Sequence, residues 1–310
     1  MRTTEGAAVE RATASTQRRA KHLLILLGVV WGLNWPAVKV ALGSISPWAL
    51  RSIGLGAAAS TLLLLAVLRA GTLRVLTITA GRDRIHVIVS GLLNIALFNI
   101  LLTFAQLGAA TSRVAIITYS MPLWTTLLAW LILGEKINRR RSIGLLLGAT
   151  GLLVLLLPLW RTGVLSCGIL LALAAAISWA IGTIYSKWAN LRADPLVIAA
   201  WQLLIGAVVA WIGMLSLEGW PHLINLPWRV LVALAYHVFF GMAVGYILWF
   251  EIIARLPAAV SALGVLLVPV VGVCGAVWLL GDHPSGPDLI GFALIFSAAV
   301  CVLLPVSQQR

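Results

Sequence analysis

The chain has 310 residues, 61% of them hydrophobic and only 10% charged, with a formal net charge of +13. A soluble domain carries roughly 25% charged residues, so composition excludes a water-soluble globular protein and places the chain in a membrane. The excess Lys and Arg sit in short stretches between apolar runs, which excludes nucleic acid as a partner.

Residues 1–21 are polar, end in Arg18, Arg19 and Lys21, and lack the apolar core and cleavage site of a signal peptide. They are expected to form a disordered cytoplasmic tail. Ten apolar runs follow, at 22–42, 47–69, 85–106, 110–133, 142–158, 164–188, 195–217, 228–253, 257–280 and 287–305. A helix needs about 20 apolar residues to cross the hydrocarbon. Backbone groups in lipid must be satisfied within the segment, so each run is expected to be a helix.

The first run carries Gly28, Trp31, Gly32, Asn34, Trp35 and Pro36 at its centre and Lys39 near its outer end. Pro36 frees the carbonyl of Gly32, and freed backbone at membrane depth belongs beside protein or water. Asn34 and Trp35 are therefore candidates for a substrate site, with a structural kink as the alternative. Lys39 is placed against the positive-inside bias and is a candidate partner for a substrate carboxylate; Arg51, one turn into run two, could act in the same way. Gly54, Gly56, Ala58 and Ser60 in run two, and Gly144, Gly148 and Gly151 in run five, form small-residue stripes suited to close helix packing. They are read as contacts within one chain, which is expected to act as a monomer.

Run three carries Ser90, Asn94, Asn99, Thr103 and Gln106, and run eight carries Tyr236, His237, Gly241, Gly245 and Tyr246. Polar groups at such depth face protein or a cavity rather than lipid. Asn94, Asn99, His237 and Tyr246 join the substrate-binding candidates, with interhelical hydrogen bonding as the alternative for each. Tyr119 and Trp179 add aromatic wall. Trp48, Trp160, Trp220 and Trp228 lie near run ends and read as interfacial anchors. Pro122 and Pro269 sit mid-run, where each releases a carbonyl and bends its helix, so both are candidate hinges. Glu135 and Asp282 close runs four and nine. Each is either a carboxylate paired locally, for Glu135 with Lys136 or Arg139, or a latch that closes one face.

The chain contains itself twice. A shift of 147 carries Pro122 onto Pro269, Gly134 onto Gly281, Glu135 onto Asp282 and Gly144 onto Gly291. A shift of 148 carries Trp31 onto Trp179, Lys39 onto Lys187 and Pro47 onto Pro195. Two units result, 22–158 and 164–305, each with an odd number of runs, so the second enters the membrane from the opposite side. Lys and Arg set the orientation. With the N-terminus inside, 17 of the 22 lie on the inner side and 5 on the outer, so both termini are expected in the cytoplasm. The expected fold is an all-α polytopic membrane protein of ten transmembrane helices, built as two inverted five-helix repeats around a central cavity.

The segments GVVWGLNWPAVKVAL and SPWALR, then YSMPLWTTLLAWLILGEKINRRRSIGLLLGATGLLVL, and VPVVGVCGAVWLLGDHPSGPDLIGFALIFSAAVCVL in the second half resemble the drug/metabolite transporter superfamily, EamA type. The resemblance covers about residues 22–305. Asp282-His283 departs from the usual Glu-Lys of that element. Membership implies a secondary transporter in a bacterial inner membrane that exports small metabolites by alternating access. The arrangement is most similar to amino-acid exporters that favour aromatic and other hydrophobic amino acids. Other metabolites or drugs, import, and an intramembrane lipid enzyme remain as alternatives. No Ser-His-Asp set, HExxH or DxxD-like metal pair is present, and Cys167, Cys274 and Cys301 form no CxxC. No enzymatic activity, metal or cofactor is expected; the partners are a small-molecule substrate and membrane lipid.

Overall fold

A computed structural model describes the backbone of residues 2–78, 81–162, 166–221, 223–253 and 266–303, and side chains over 22–78, 81–155, 166–221, 223–249, 252 and 266–301. Among the described residues the fold is all helix. The elements are α1 (Arg2–Ala41), α2 (Pro47–Ala70), α3 (Gly81–Gly91), α4 (Phe98–Gly108), α5 (Thr111–Thr118), α6 (Met121–Leu133), α7 (Arg139–Thr162), α8 (Cys167–Ala189), α9 (Pro195–Gly213), α10 (Trp228–Ala235), α11 (Gly245–Ile253), α12 (Leu267–Leu280) and α13 (Gly286–Leu303). Among the described residues, seven stretches are long and apolar enough to cross a membrane: His22–Ala41, Pro47–Ala70, Gly81–Gly108, Thr111–Leu133, Cys167–Ala189, Pro195–Glu218 and Trp228–Trp249. Leu267–Leu280 and Gly286–Cys301 are shorter apolar helices. Residues 257–265 of the run expected at 257–280 lie outside the described residues.

Residues 2–21, expected as a disordered tail, continue α1. The reason is local: Ala, Glu, Gln, Arg and Lys dominate this stretch, and all are strong helix formers whatever their polarity. α3 and α4 are joined by a π-helical segment, Leu92–Leu97, and α10 and α11 by another, Tyr236–Val244. A shift of 147 brings the first inside the second.

Pro122 and Pro269 both stand in the first turn of a helix. α5 ends at Thr118, and α6 restarts at Met121 with Pro122 next to it, where a missing N–H costs nothing. α12 begins at Leu267, two residues before Pro269. The C-termini of α6 and α12 also match. Gly134 and Gly281 take left-handed φ of 66° and 70°, and the following amides, Glu135 N and Asp282 N, each donate to an alanine carbonyl six residues back at 3.2 Å. These are Schellman caps, and only glycine adopts that φ without a Cβ penalty.

Helix packing relies on small residues. α2 meets α9 through Leu55, Ala58, Ala59 and Leu62 against Val197, Ala200, Leu203 and Ala207, all buried. α7 meets α13 with Gly151 and Gly291 backbone to backbone: a Cβ built on Gly151 would lie 3.1 Å from the Gly291 carbonyl oxygen. The other inter-half contacts come in exchanged pairs. α1 packs on α12 and α6 on α8; α4 packs on α8 and α11 on α1. Trp48, expected as an interfacial anchor, lies instead in a notch at Gly213, where an added Cβ would be 2.1 Å from its ring, and stacks edge-on against Phe104. Trp220 and Trp228 are exposed, as anchors are. The side chain of Trp160 is outside the described residues.

Candidate functional site

α1, α2, α9 and both π segments enclose a central cavity of about 460 Å³. Its wall takes Trp31, Asn34 and Trp35 from α1, Arg51 from α2, Asn94, Asn99 and Gln106 from the first π segment and α4, and Tyr119 and Pro122 from the α5–α6 break. Trp179 comes from α8, Gln202 from α9, and Gly241, Tyr246 and Trp249 from the second π segment and α11. A volume of this order suits a small metabolite.

Local chemistry sets each wall residue. Trp31 Nε1 donates to the Gly241 carbonyl at 3.0 Å, in the π segment where one carbonyl per extra residue is free. Trp31 also meets Tyr246 edge-to-face with centroids 5.9 Å apart, and Trp35 meets Tyr119 at 6.4 Å. Gly241 and Gly245 make room for this: an added Cβ would fall 2.3 Å from Asn34 Oδ1 and 2.3 Å from Trp31 Nε1 respectively. Asn99 Nδ2 donates to the Ile95 carbonyl at 2.9 Å, and Gln106 Nε2 to the Trp35 carbonyl at 3.3 Å. The side-chain oxygen of Asn94 is buried and unpartnered.

Seven of the nine candidate binding residues therefore bound one cavity: Asn34, Trp35, Asn94, Asn99, Tyr119, Trp179 and Tyr246. Two do not. His237 is 0% exposed and lies behind the wall. Its Nδ1 is 2.9 Å from Asn34 Oδ1, an acceptor, so Nδ1 carries the proton and Nε2 is left unpartnered against Gly54. The imidazole orients Asn34 and leaves the Asn34 amide nitrogen for the cavity. Lys39 also turns away, because its Nζ donates to the Gln106 carbonyl in the last turn of α4. A cation at a helix C-terminus meets the negative end of the dipole, and this contact is the physical reason it leaves the cavity.

The carboxylates likewise differ from expectation in their partners. Glu135 pairs with Lys187 of α8 and, at 3.1 Å, with Arg141 of α7, rather than with Lys136 or Arg139. The Lys187 hydrogen bond holds its carboxyl below the usual range. Asp282 accepts from the Ser112 amide at 2.8 Å at the start of α5. Residues not singled out from sequence include Gln202, which donates to Ser90 Oγ at 2.8 Å, and Trp249. A lone amide in the middle of run seven was the available signal for Gln202. Arg51, expected beside Lys39 as a partner for a substrate carboxylate, reaches the wall.

Comparison with known proteins gives a consistent family. The chain matches the EamA-like transporter family twice, over residues 19–157 and 166–304. It is 28% identical over 304 residues to the "Uncharacterized transporter YvbV" of Bacillus subtilis, spanning 94% of this chain and 93% of that protein. It is 28% identical to a "Probable amino-acid metabolite efflux pump" of Salmonella typhimurium and 27% to one of Escherichia coli, each over 90% of this chain and 93% of the relative. A solved crystal structure with 21% identity covers 92% of this chain and 97% of its own, with a TM-score of 0.63, and shares the fold. Apolar helices, cavity and relatives together place this chain in the EamA-like transporter family, as a multi-pass membrane transporter.

Proposed function

We propose that the protein exports small metabolites, foremost aromatic and other hydrophobic amino acids, by alternating access of the central cavity. The observation that carries this reading is the cavity itself: seven deep polar and aromatic side chains bound one space of metabolite size. Aromatic faces accommodate an apolar side chain and can attract an ammonium group. The relatives named as amino-acid metabolite efflux pumps support the same substrate class.

Units 22–158 and 164–305 act as the two halves, the second inverted, with both termini cytoplasmic. The matched π segments, Schellman caps and exchanged helix pairings support the duplication. The inverted repeat also pairs two latches. A shift of 147 carries Glu135 onto Asp282, and one of 148 carries Lys39 onto Lys187. The inner latch, Glu135 with Lys187, is formed. Its outer counterpart, Asp282 with Lys39, forms no ion pair among the described residues: the two act on each other only through space, and each hydrogen-bonds elsewhere. This conformation is then closed at the cytoplasmic face, with Pro122 and Pro269 as hinges for the change to the opposite state. A surface ion pair contributes about 0–1 kcal/mol. A latch of that size biases the two states without locking either.

Counterflow of labelled L-phenylalanine and L-leucine into proteoliposomes tests the function. Flux above empty liposomes is expected, with Asn34→Ala reducing it about tenfold, the worth of one good polar contact. Absence of flux for any amino acid, or an undiminished Asn34→Ala, contradicts the reading.

A further inference from the structure

Arg51 is the one cation among the described residues of the cavity wall. It stands one turn into α2 and is 4% exposed, so it does not snorkel to the surface. It points inward instead. Its Nε donates to Thr103 Oγ1, and Thr103 in turn donates to the Asn99 carbonyl at 2.7 Å. That fixes the guanidinium plane and leaves Nη1 and Nη2, with four N–H groups, without a hydrogen-bond or ion-pair partner among the described residues. The described ion pairs join Arg113 to Asp288 and Lys187 and Arg141 to Glu135; none includes Arg51. No carboxylate bounds the cavity among the described residues. Lys39, the other cation nearby, is engaged by the Gln106 carbonyl.

A buried cation in a membrane protein ordinarily has a counter-charge, and one that lacks it marks a substrate or ion path. The fork of Nη1 and Nη2 matches the two oxygens of a carboxylate, and such pairs are among the strongest and most directional polar contacts. A cationic amine in the same cavity would meet a like charge with nothing to offset it.

We propose that Arg51 is the carboxylate-binding residue of the cavity, its free guanidinium end taking the carboxylate of a substrate whose apolar body lies against Trp31, Trp35 and Tyr246. This rests on the cavity being the transport site and narrows its substrates to carboxylates. Thr103 is a positioning residue that holds the fork in plane. An amino acid and a simple aryl carboxylate share this chemistry; decarboxylated amines do not.

The test is tryptophan fluorescence of the purified full chain in detergent, titrated with L-phenylalanine, 3-phenylpropionate and phenethylamine. Both carboxylates are expected to bind, with the amine weaker by roughly tenfold or more. Arg51→Gln is expected to lose about the same factor for the carboxylates and to bind the amine more tightly, as the like charge is gone, with Arg51→Lys between for the carboxylates. If Arg51→Gln does not fold, the ranking on the unaltered protein decides alone. An amine that binds as well as the carboxylates overturns the assignment, as do carboxylates that fail to bind or an Arg51→Gln that binds them unchanged. Which carboxylate is preferred separates a zwitterionic from an anionic substrate, and either supports Arg51. Proteoliposome flux separates the two proposals. Carboxylate binding without flux leaves Arg51 standing and removes the transport reading. Phenylalanine flux indifferent to Arg51→Gln does the reverse.

Discussion

Asn34 is the residue on which the cavity's polar geometry turns. His237 holds its oxygen from behind, and Gly241 gives it room in front. The nearest consequence concerns that glycine. A Cβ at position 241 would sit 2.3 Å from Asn34 Oδ1, so Gly241→Ala must displace the amide. Overpacking of this kind costs about 1–3 kcal/mol. Counterflow by Gly241→Ala is expected to fall about tenfold while yield and helix content stay near those of the unaltered protein; flux equal to the unaltered protein would show that Asn34 does not work from this position. Asn34 and Trp35 were legible in sequence because Gly32, Pro36 and an amide in mid-run have no other common cause. His237 was legible as a deep polar group but not as a second layer, since only the packing of α1 on the second π segment sets which side of Asn34 it occupies. Lys39 was misplaced because its partner is a backbone carbonyl, Gln106, which no side-chain pattern reveals.

At the scale of elements, the chain's punctuation was readable and its helix register was not. Gly134-Glu135 and Gly281-Asp282 announce paired helix ends, and both prove to be the same cap. Pro122 marks a restart rather than a bend within a continuous helix, because proline fits the first turn better than the middle, and Pro269 stands in the first turn of α12. The π segments had no signal of their own. One residue per turn is accommodated by close packing, at Gly182 against Asn94 and at Gly241 against Asn34, and that is a tertiary effect. The latch makes the element-level prediction. Glu135→Gln and Lys187→Gln are expected to shift the two-state balance by similar amounts, with a coupling of up to about 1 kcal/mol in a double-mutant cycle read by melting temperature. The pH dependence has a definite sign. Because Lys187 holds the Glu135 carboxyl below its ordinary 4.5, the pair's contribution is complete above that value and is lost as pH falls through the lower folded-state value. Coupling is therefore expected to be constant at neutral pH and to be lost only below the ordinary 4.5. A coupling that disappears between pH 6 and 8, or additivity at neutral pH, would contradict the latch.

For the molecule as a whole, the internal repeat carried most of what was legible. The expected duplication called for a cavity between two halves, and side chains from α1, α4, α8 and α11 line one cavity. The walls from Gln202 and Trp249 were missed because a repeat predicts which helices face each other and not which turn of each faces inward. The proposal that this cavity opens alternately to either side meets its most direct test in a single cysteine at Phe98, a wall residue, with Cys167, Cys274 and Cys301 replaced by serine. Reacted with a membrane-impermeant maleimide in oriented vesicles, it is expected to label from the outer face, and to become labelled from the cytoplasmic face once Glu135→Gln releases Lys187. A Phe98→Cys that stays unlabelled from both faces, or labels from the cytoplasmic face alone whatever stands at 135, would contradict alternating access through this cavity.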